Sequence, residues 1–141
     1  MQLTGSIDIP RPAADVFEFV ADPTNNPKWQ KGMRSCEWIT GGETAVGSQY
    51  RQEASFLGRA VISVFEVTAF EPGRSMSFAT IKSTFPIQVT RTVESRGEGS
   101  CHVNAVIGGG PRVPKFLEGL LGRMAQRSVT RDYARLADML S

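Results

Sequence analysis

The sequence predicts an α+β fold with one antiparallel sheet of seven strands, two short helices between the first and second strands, and one long C-terminal helix. An apolar-alternating run near the start passes through prolines into a helical pattern. Six further alternating runs follow, separated by turn clusters, and the helical period then returns over the last part of the chain. Because each of these runs is reached from its neighbour by a short link, their pairing is predicted to be antiparallel.

The first strand, residues 6–9, leads into a helix that begins and ends at prolines. Pro12 suits the first turn of a helix, where a missing N–H is harmless. Pro23 ends the helix, because the residue before a proline is pushed out of helical geometry. Pro23 and Pro27 frame a second, short helical turn that brings Trp29 toward the interior. The apolar face of the first helix is formed by Val16, Phe17, Phe19 and Val20.

Six further strands are predicted near residues 33–40, 48–56, 60–70, 75–81, 87–95 and 100–107. Glycine-bearing turns separate them at residues 41–47, 57–59, 71–73 and 96–99, which favours hairpins. Alternation also assigns each strand an inward face. On the fourth strand this face is predicted to carry Phe65, Val67 and Ala69.

The C-terminal helix is predicted over residues 114–140. Its apolar stripe consists of Leu117, Leu121, Met124, Ala125, Ser128, Val129, Tyr133, Leu136 and Leu140. Another side carries Arg123, Arg127 and Arg131 at intervals of four residues. The sequence favours a solvated arginine row there and leaves contact with an anionic surface as the alternative. The preceding glycines 108–110 lack the spacing of a phosphate loop, so a flexible link is expected.

Length, net charge, apolar runs and cysteine spacing limit the classes of function that the chain can have. The 141 residues fit one domain, residues 1–141, and a net charge of +2 gives no reason to expect a nucleic-acid partner. The N-terminus has no signal-like segment, and no apolar run approaches the roughly 20 residues that span a bilayer, so a cytoplasmic protein without stable membrane insertion is expected. Cys36 and Cys101 are not a short-spaced pair and are predicted to be buried free thiols, with no metal site and no cofactor.

Three segments together resemble a known family. Residues 6–29 give strand, helix, proline break and tryptophan in that order, residues 46–51 give a turn into the third strand, and residues 65–78 give a pair of middle strands. This order resembles the polyketide cyclase/dehydrase and lipid-transport family, a branch of the SRPBCC superfamily that also holds START domains and the birch pollen allergen. The resemblance covers nearly the whole chain and implies a helix-grip fold, in which a curved sheet wraps around the C-terminal helix and leaves a deep pocket.

The resemblance and the strand phases together name candidate pocket residues, while no catalytic residue is assigned. The candidates are Trp29, Trp38, Tyr50, Phe56, Phe65, Met76, Phe78, Phe85, Arg91, Met124 and Tyr133. Tyr50 and Tyr133 are possible hydroxyl donors to a ligand. Phe85 precedes the sixth strand, and the sequence leaves open whether it forms a lid over the pocket or a contact in a homodimer.

Arg91 breaks the apolar pattern, because it shares the phase of Ile87, Val89 and Val93. If that register holds, the guanidinium points into the interior, where it needs a carboxylate, carbonyls or an anionic ligand group. A bulge near Pro86 or a salt bridge at the sheet edge would instead place it outside. Other titratable residues lie at positions that the alternation predicts to face outward, among them His102, Glu53 and Glu66. This argues against a catalytic histidine or a pocket carboxylate.

Two functions of different kinds fit these observations. The first, which the apolar phases favour, is binding of a hydrophobic or amphipathic small molecule such as a lipid, polyketide or aromatic metabolite in the internal cavity. The alternative, implied by the family name, is a polyketide cyclase, aromatase or dehydratase that uses the same cavity, with Arg91 and a tyrosine stabilising an enolate. A third interpretation, an interaction partner of the allergen-like fold, stays open.

Overall fold

The structure, a computed structural model, describes residues 2–141 and confirms the predicted fold class. Seven strands, a 3-10 turn and three helices follow one another along the chain. They are β1 (Gln2–Ile9), α1 (Ala13–Val20), the 3-10 turn (Pro23–Asn25), α2 (Asn26–Trp29), β2 (Met33–Trp38), β3 (Gln49–Phe56), β4 (Arg59–Glu71), β5 (Ser75–Lys82), β6 (Ile87–Ser95), β7 (Cys101–Gly109) and α3 (Lys115–Leu140).

All seven strands form one antiparallel sheet in the order β1-β7-β6-β5-β4-β3-β2. β2 to β7 form a meander of neighbours, and β1 pairs with the last strand, so the chain crosses between the two edges of the sheet through α1 and α2. α1 lies against β6 and β7, whereas α3 packs mainly against β1. The core therefore lies between one face of the sheet and these helices.

The predicted element boundaries hold within a few residues, and one predicted side-chain direction is wrong. β6 has the predicted bounds, and β1 begins at Gln2, earlier than the alternation indicates. Ala69 does not face inward, because the pairing of β4 with β5 shifts between Val67 and Ala69. This irregularity turns Phe70 toward the core, where its ring centroid lies 5.8 Å from that of Phe17.

The connections between the strands lie at two opposite ends of the sheet. One end carries the β3–β4 turn at residues 57–58, the β5–β6 loop at residues 83–86, and residues 110–114, which lead into α3. The other end carries α1, the loop at residues 39–48, the β4–β5 turn at residues 72–74 and the β6–β7 loop at residues 96–100.

Close contact between α3 and β1 depends on Gly5, which lies in the middle of β1. A Cβ atom at this position would lie 2.5 Å from two ring carbons of Tyr133 and 3.1 Å from a methyl group of Val129. The absent side chain lets the helix approach the strand directly, and this contact holds the C-terminal half of α3 against the sheet.

Candidate functional site

A groove with a volume of about 400 Å³ lies between the sheet and α3, at the end that carries the β3–β4 turn. Its size falls within the range of about 300–1,000 Å³ that is usual for small-molecule sites. We call this end of the molecule the groove end. The walls are mainly apolar and include Leu3, Met33, Phe56, Phe85, Ile87, Ile107, Leu121, Met124 and Val129.

The groove exists because only the C-terminal half of α3 is packed down. Tyr133 and Leu136 are the buried residues of this helix, whereas every residue from 115 to 124 is exposed or half-buried. One helix leaves part of the apolar face of a wide sheet uncovered. At the rim, Gly109 has φ +87° and passes so close to the Pro86 carbonyl that a Cβ atom would lie 2.1 Å from its oxygen. This contact ties β7 to the loop that carries Phe85.

Two polar side chains in the groove wall were not predicted. The Nε2 atom of Gln30 is buried and has no hydrogen-bond partner among residues 2–141, so it is a free donor. Asp132 also lines the groove, and its Oδ1 accepts hydrogen bonds from the Lys31 N–H at 3.2 Å and from Arg135 Nη1 at 3.0 Å. Burial raises the pKa of this carboxyl above its usual value, against the opposing effect of its hydrogen bonds to Lys31 and Arg135.

The sequence carried a signal for Asp132 but only a weak one for Gln30. Asp132 lies three residues after Val129 and four before Leu136, which places a carboxyl beside the apolar stripe of α3. Gln30 follows α2 directly, and its role depends on how that short helix meets the sheet. No local pattern encodes that arrangement.

Three of the eleven predicted pocket residues line the groove: Phe56, Phe85 and Met124. The rings of Phe56 and Phe85 meet edge to face with centroids 6.0 Å apart and close one side of it. Seven others lie in the closed core, and Trp38 is half-buried beside Tyr50. Those seven are Trp29, Tyr50, Phe65, Met76, Phe78, Arg91 and Tyr133.

The closed core is filled by aromatic side chains. Tyr50 stacks on Phe65 with centroids 5.3 Å apart, and Phe78 meets both rings edge to face. Trp29 packs edge to face on Tyr133 at 4.9 Å. These rings occupy the space under the centre of the sheet. The Tyr50 hydroxyl is buried without a partner among residues 2–141, and burial raises its pKa well above the usual range.

Arg91 points inward, as its phase indicates, but it does not line the groove. Nε donates to the Tyr133 hydroxyl at 3.1 Å and Nη1 donates to the Val20 carbonyl at 3.2 Å. Its Cζ atom lies 5.0 Å from the centroid of the Trp29 ring and 5.3 Å from that of Phe78. The guanidinium is therefore stabilised by a carbonyl, a phenol and two π faces, and it connects β6, α1 and α3.

His102 lies on the outer face of the sheet, as its phase predicts. Its Nε2 is 2.9 Å from Ser6 Oγ and its Nδ1 is 2.7 Å from Asp8 Oδ1, an arrangement that resembles a nucleophile, a base and an orienting acid. The setting argues against catalysis. Ser6 lies on the same open face, and Asp8 is 82% exposed, so water competes for each bond. The concavity beside His102 is bounded by Asp8, Pro10 and Arg96 and does not include Ser6.

Residues 2–141 provide neither a cluster of metal-binding side chains nor a membrane-spanning helix. That part of the chain contains no group of three or more His, Cys, Asp or Glu side chains placed to hold a metal ion. Within the same residues no helix is both long and apolar enough to cross a membrane. Cys36 and Cys101 are free and buried, and desolvation raises the pKa of the Cys36 thiol to about 12.

The sheet, the long helix that it grips and the groove between them define a helix-grip protein of the START and birch pollen allergen type. Within that class, the chain belongs to the family described as "Polyketide cyclase / dehydrase and lipid transport", whose model it matches over residues 1–141. A comparison with curated protein sequences gives no match.

Solved structures with the same fold are distant in sequence. TTHA0849 from Thermus thermophilus aligns with a TM-score of 0.84 at 17% identity, over 99% of this chain and 97% of that one. A START superfamily protein from Mycobacterium smegmatis aligns with a TM-score of 0.81 at 12% identity, over 99% and 96%. The Zhui aromatase/cyclase from Streptomyces sp. R1128 aligns with a TM-score of 0.79 at 11% identity, over 99% and 93%. At these identities the likeness shows the fold alone.

Proposed function

We propose that the protein binds an amphipathic small molecule in the groove between the sheet and α3. The observation that carries this proposal is the apolar groove of about 400 Å³, whose walls include Phe56, Phe85 and Met124. An apolar cavity with few polar groups is typical of a site that takes an apolar molecule and orients it through one or two hydrogen bonds.

Gln30 narrows the class of ligand. A buried donor without a partner is costly, and a ligand acceptor would remove that cost. Once the Gln30 side chain turns toward the groove, its Nε2 can donate to a ketone, ester or carboxylate oxygen. The expected ligand is therefore a lipid, polyketide or aromatic metabolite with an apolar body against the sheet and α3 and a carbonyl or carboxylate oxygen at Gln30.

Filling the groove is expected to weaken ligand binding. Ala125 lines the groove from α3, and Ala125→Phe places a ring in the space proposed for the ligand. We expect the affinity for the amphipathic dye 1-anilinonaphthalene-8-sulfonate, measured by fluorescence titration, to fall at least roughly tenfold, which corresponds to about 1.4 kcal/mol.

The matched control for that experiment is Ala134→Phe, the same change at an exposed alanine of the same helix that does not line the groove. This variant is expected to bind the dye as the wild type does. Equal affinity of Ala125→Phe and Ala134→Phe would refute the groove as the binding site.

Asp132 supports a second candidate, proton transfer on a carbonyl compound of the cyclase or dehydratase type. It is a groove carboxyl whose pKa is raised by burial, so it is better matched to a base near neutral pH than an ordinary carboxyl is. If the protein turns over poly-β-keto thioester mimics, the rate is expected to fall as the pH falls through the raised pKa, because protonation removes the base. Asp132→Asn is expected to abolish that turnover, and full activity of this variant would exclude the role.

A further inference from the structure

The N-terminal half of α3 exposes apolar residues that run from its outer side to the rim of the groove. Phe116 is 82% exposed, Leu120 49% and Met124 47%, and their intervals of four residues place them on one face. Large apolar residues clustered in this way mark an interaction surface, whereas single ones do not. Something other than water is therefore expected to cover this strip.

The β3–β4 turn adds to the same surface. Leu57 is 63% exposed and lines the groove mouth, so its side chain stands beside the opening. It is also the one residue other than glycine among residues 2–141 with a positive φ, at 50°. A leucine in left-handed geometry is strained, and at an exposed turn packing offers it no compensation.

This half of α3 is weakly held by the protein itself. Gly119 and Gly122 lie within it, and glycine is a poor helix former. Its first turn begins after Pro114 without a side-chain cap. A helical segment with two glycines, no cap and an apolar outer strip is suited to stabilisation by an external surface.

Charges are unequally distributed between the two ends, although the net charge is only +2. The groove end and the outer side of α3 carry an excess of basic residues, and the acidic residues among them are Glu118 and, in the groove wall, Asp132. These basic residues are Arg59, Lys82, Arg112, Lys115, Arg123 and Arg127. The opposite end is rich in carboxylates, which outnumber its basic residues Arg11, Arg74 and Arg96; these carboxylates are Asp15, Glu18, Asp22, Glu43 and Glu71.

We propose that the groove end docks on the surface of an anionic lipid bilayer. In this arrangement Phe116 and Leu120 enter the headgroup region. Arg123 and Arg127, about one and two turns after Leu120 on the exposed side, contact lipid phosphates. Two copies of this chain fit less well, because pairing the strips would bring the two arginine rows together.

Docking in this way would open the groove mouth, with Leu57 and Met124 at its rim, toward the bilayer. The docking itself depends only on the surface residues. Its use, the passage of an amphipathic molecule between the groove and the lipid, rests on the proposed function. The two ideas can therefore fail separately.

Co-sedimentation with vesicles tests the docking. We expect the protein to bind vesicles that contain phosphatidylserine with phosphatidylcholine, to bind vesicles of phosphatidylcholine alone much less, and to be released as salt is raised. Equal binding to both kinds of vesicle, or binding to neither, would overturn the proposal.

Paired variants locate the contact. The double variant Phe116→Ser with Leu120→Ser is expected to lower partitioning onto phosphatidylserine-containing vesicles at least roughly tenfold. Arg123→Gln and Arg127→Gln are each expected to lower it roughly fivefold. Ile39→Ser with Val46→Ser, at exposed residues of the opposite end, should have no effect. Unchanged binding of the Phe116 and Leu120 variant, with its helix content intact by circular dichroism, would overturn the proposal.

Two further readouts separate the alternatives. Ala125→Phe is expected to bind the dye more weakly and to bind vesicles as the wild type does. This result separates the proposal of a ligand in the groove from the proposal of docking on a bilayer. Sedimentation velocity without lipid is expected to give the same monomer for the wild type and for the Phe116 and Leu120 variant. If the wild type is a dimer that this variant dissociates, the strip is a contact between copies and the bilayer proposal is wrong.

Discussion

Arg91→Ala is expected to lower the free energy of unfolding by about 3 kcal/mol, because a buried acceptor left without its donor costs about 1–3 kcal/mol and the truncation removes packed volume. The truncation leaves the Val20 carbonyl and the Tyr133 hydroxyl without their donor. It also leaves a cavity between the rings of Trp29 and Phe78. Urea denaturation followed by tryptophan fluorescence measures the change.

Arg91→Met separates the two causes. Methionine fills most of the space but donates no hydrogen bond, so this variant is expected to recover part of the stability that alanine loses. A stability of Arg91→Ala within about 1 kcal/mol of the wild type would contradict the account of Arg91 as the link between β6, α1 and α3, since a change that small is typical of a substitution without a structural role.

Gly5→Ala is expected to cost about 2–3 kcal/mol, at the upper end of the usual cost of overpacking. The new methyl group would lie 2.5 Å from ring carbons of Tyr133. That ring cannot move freely, because its hydroxyl accepts a hydrogen bond from Arg91 and the ring forms a T-shaped pair with Trp29. The clash therefore pushes α3 away from β1 or disrupts the Arg91 contact.

The control for this change is Gly99→Ala, where a Cβ atom would meet nothing within 4 Å. Its effect is expected to stay within about 0.5 kcal/mol. Thermal or urea denaturation of both variants provides the comparison. Equal stability of the two would show that α3 does not depend on the close approach at Gly5.

The fold could be predicted because local signals agree along the chain. Prolines 12 and 23 bound the first helix, alternation marks each strand, and short turns fix their antiparallel order. The prediction failed at Ala69, where a shift in the pairing of β4 with β5 reverses the alternation. The sequence shows no glycine or proline there to indicate the irregularity.

The groove was harder to predict than the fold. The alternation of side chains along a strand tells which of them face inward. It does not tell whether they meet other side chains or an open space. Tyr50, Phe65 and Phe78 face inward and fill the core with one another, whereas Phe56 and Phe85 face inward near the end of the sheet, where α3 stands away. The position of that helix depends on a tertiary contact at Gly5, which no local pattern reveals.

For Arg91, too, the sequence indicated the direction of the side chain but not which residues it would contact. The alternation along β6 indicated the interior, and burial of the charge called for a carboxylate, carbonyls or an anionic ligand group. The structure supplies one of these, the Val20 carbonyl, together with the Tyr133 hydroxyl, and which residues they are could not be read from the sequence because both are distant in it. Of the polar side chains that line the groove, Asp132 had a signal in its position beside the apolar stripe of α3, whereas Gln30 had only a weak one.

The most direct test of ligand binding in the groove is a two-dimensional NMR titration with 2-dodecanone, an apolar chain with one carbonyl acceptor. We expect shifts in the side-chain amide of Gln30 and in the methyl groups of Met33, Ile107 and Val129, which line the groove. Methyl groups of the closed core, such as those of Val67 and Met76, are expected to stay unchanged. Shifts confined to the core methyl groups, or no shifts at saturating ketone, would contradict the proposed site.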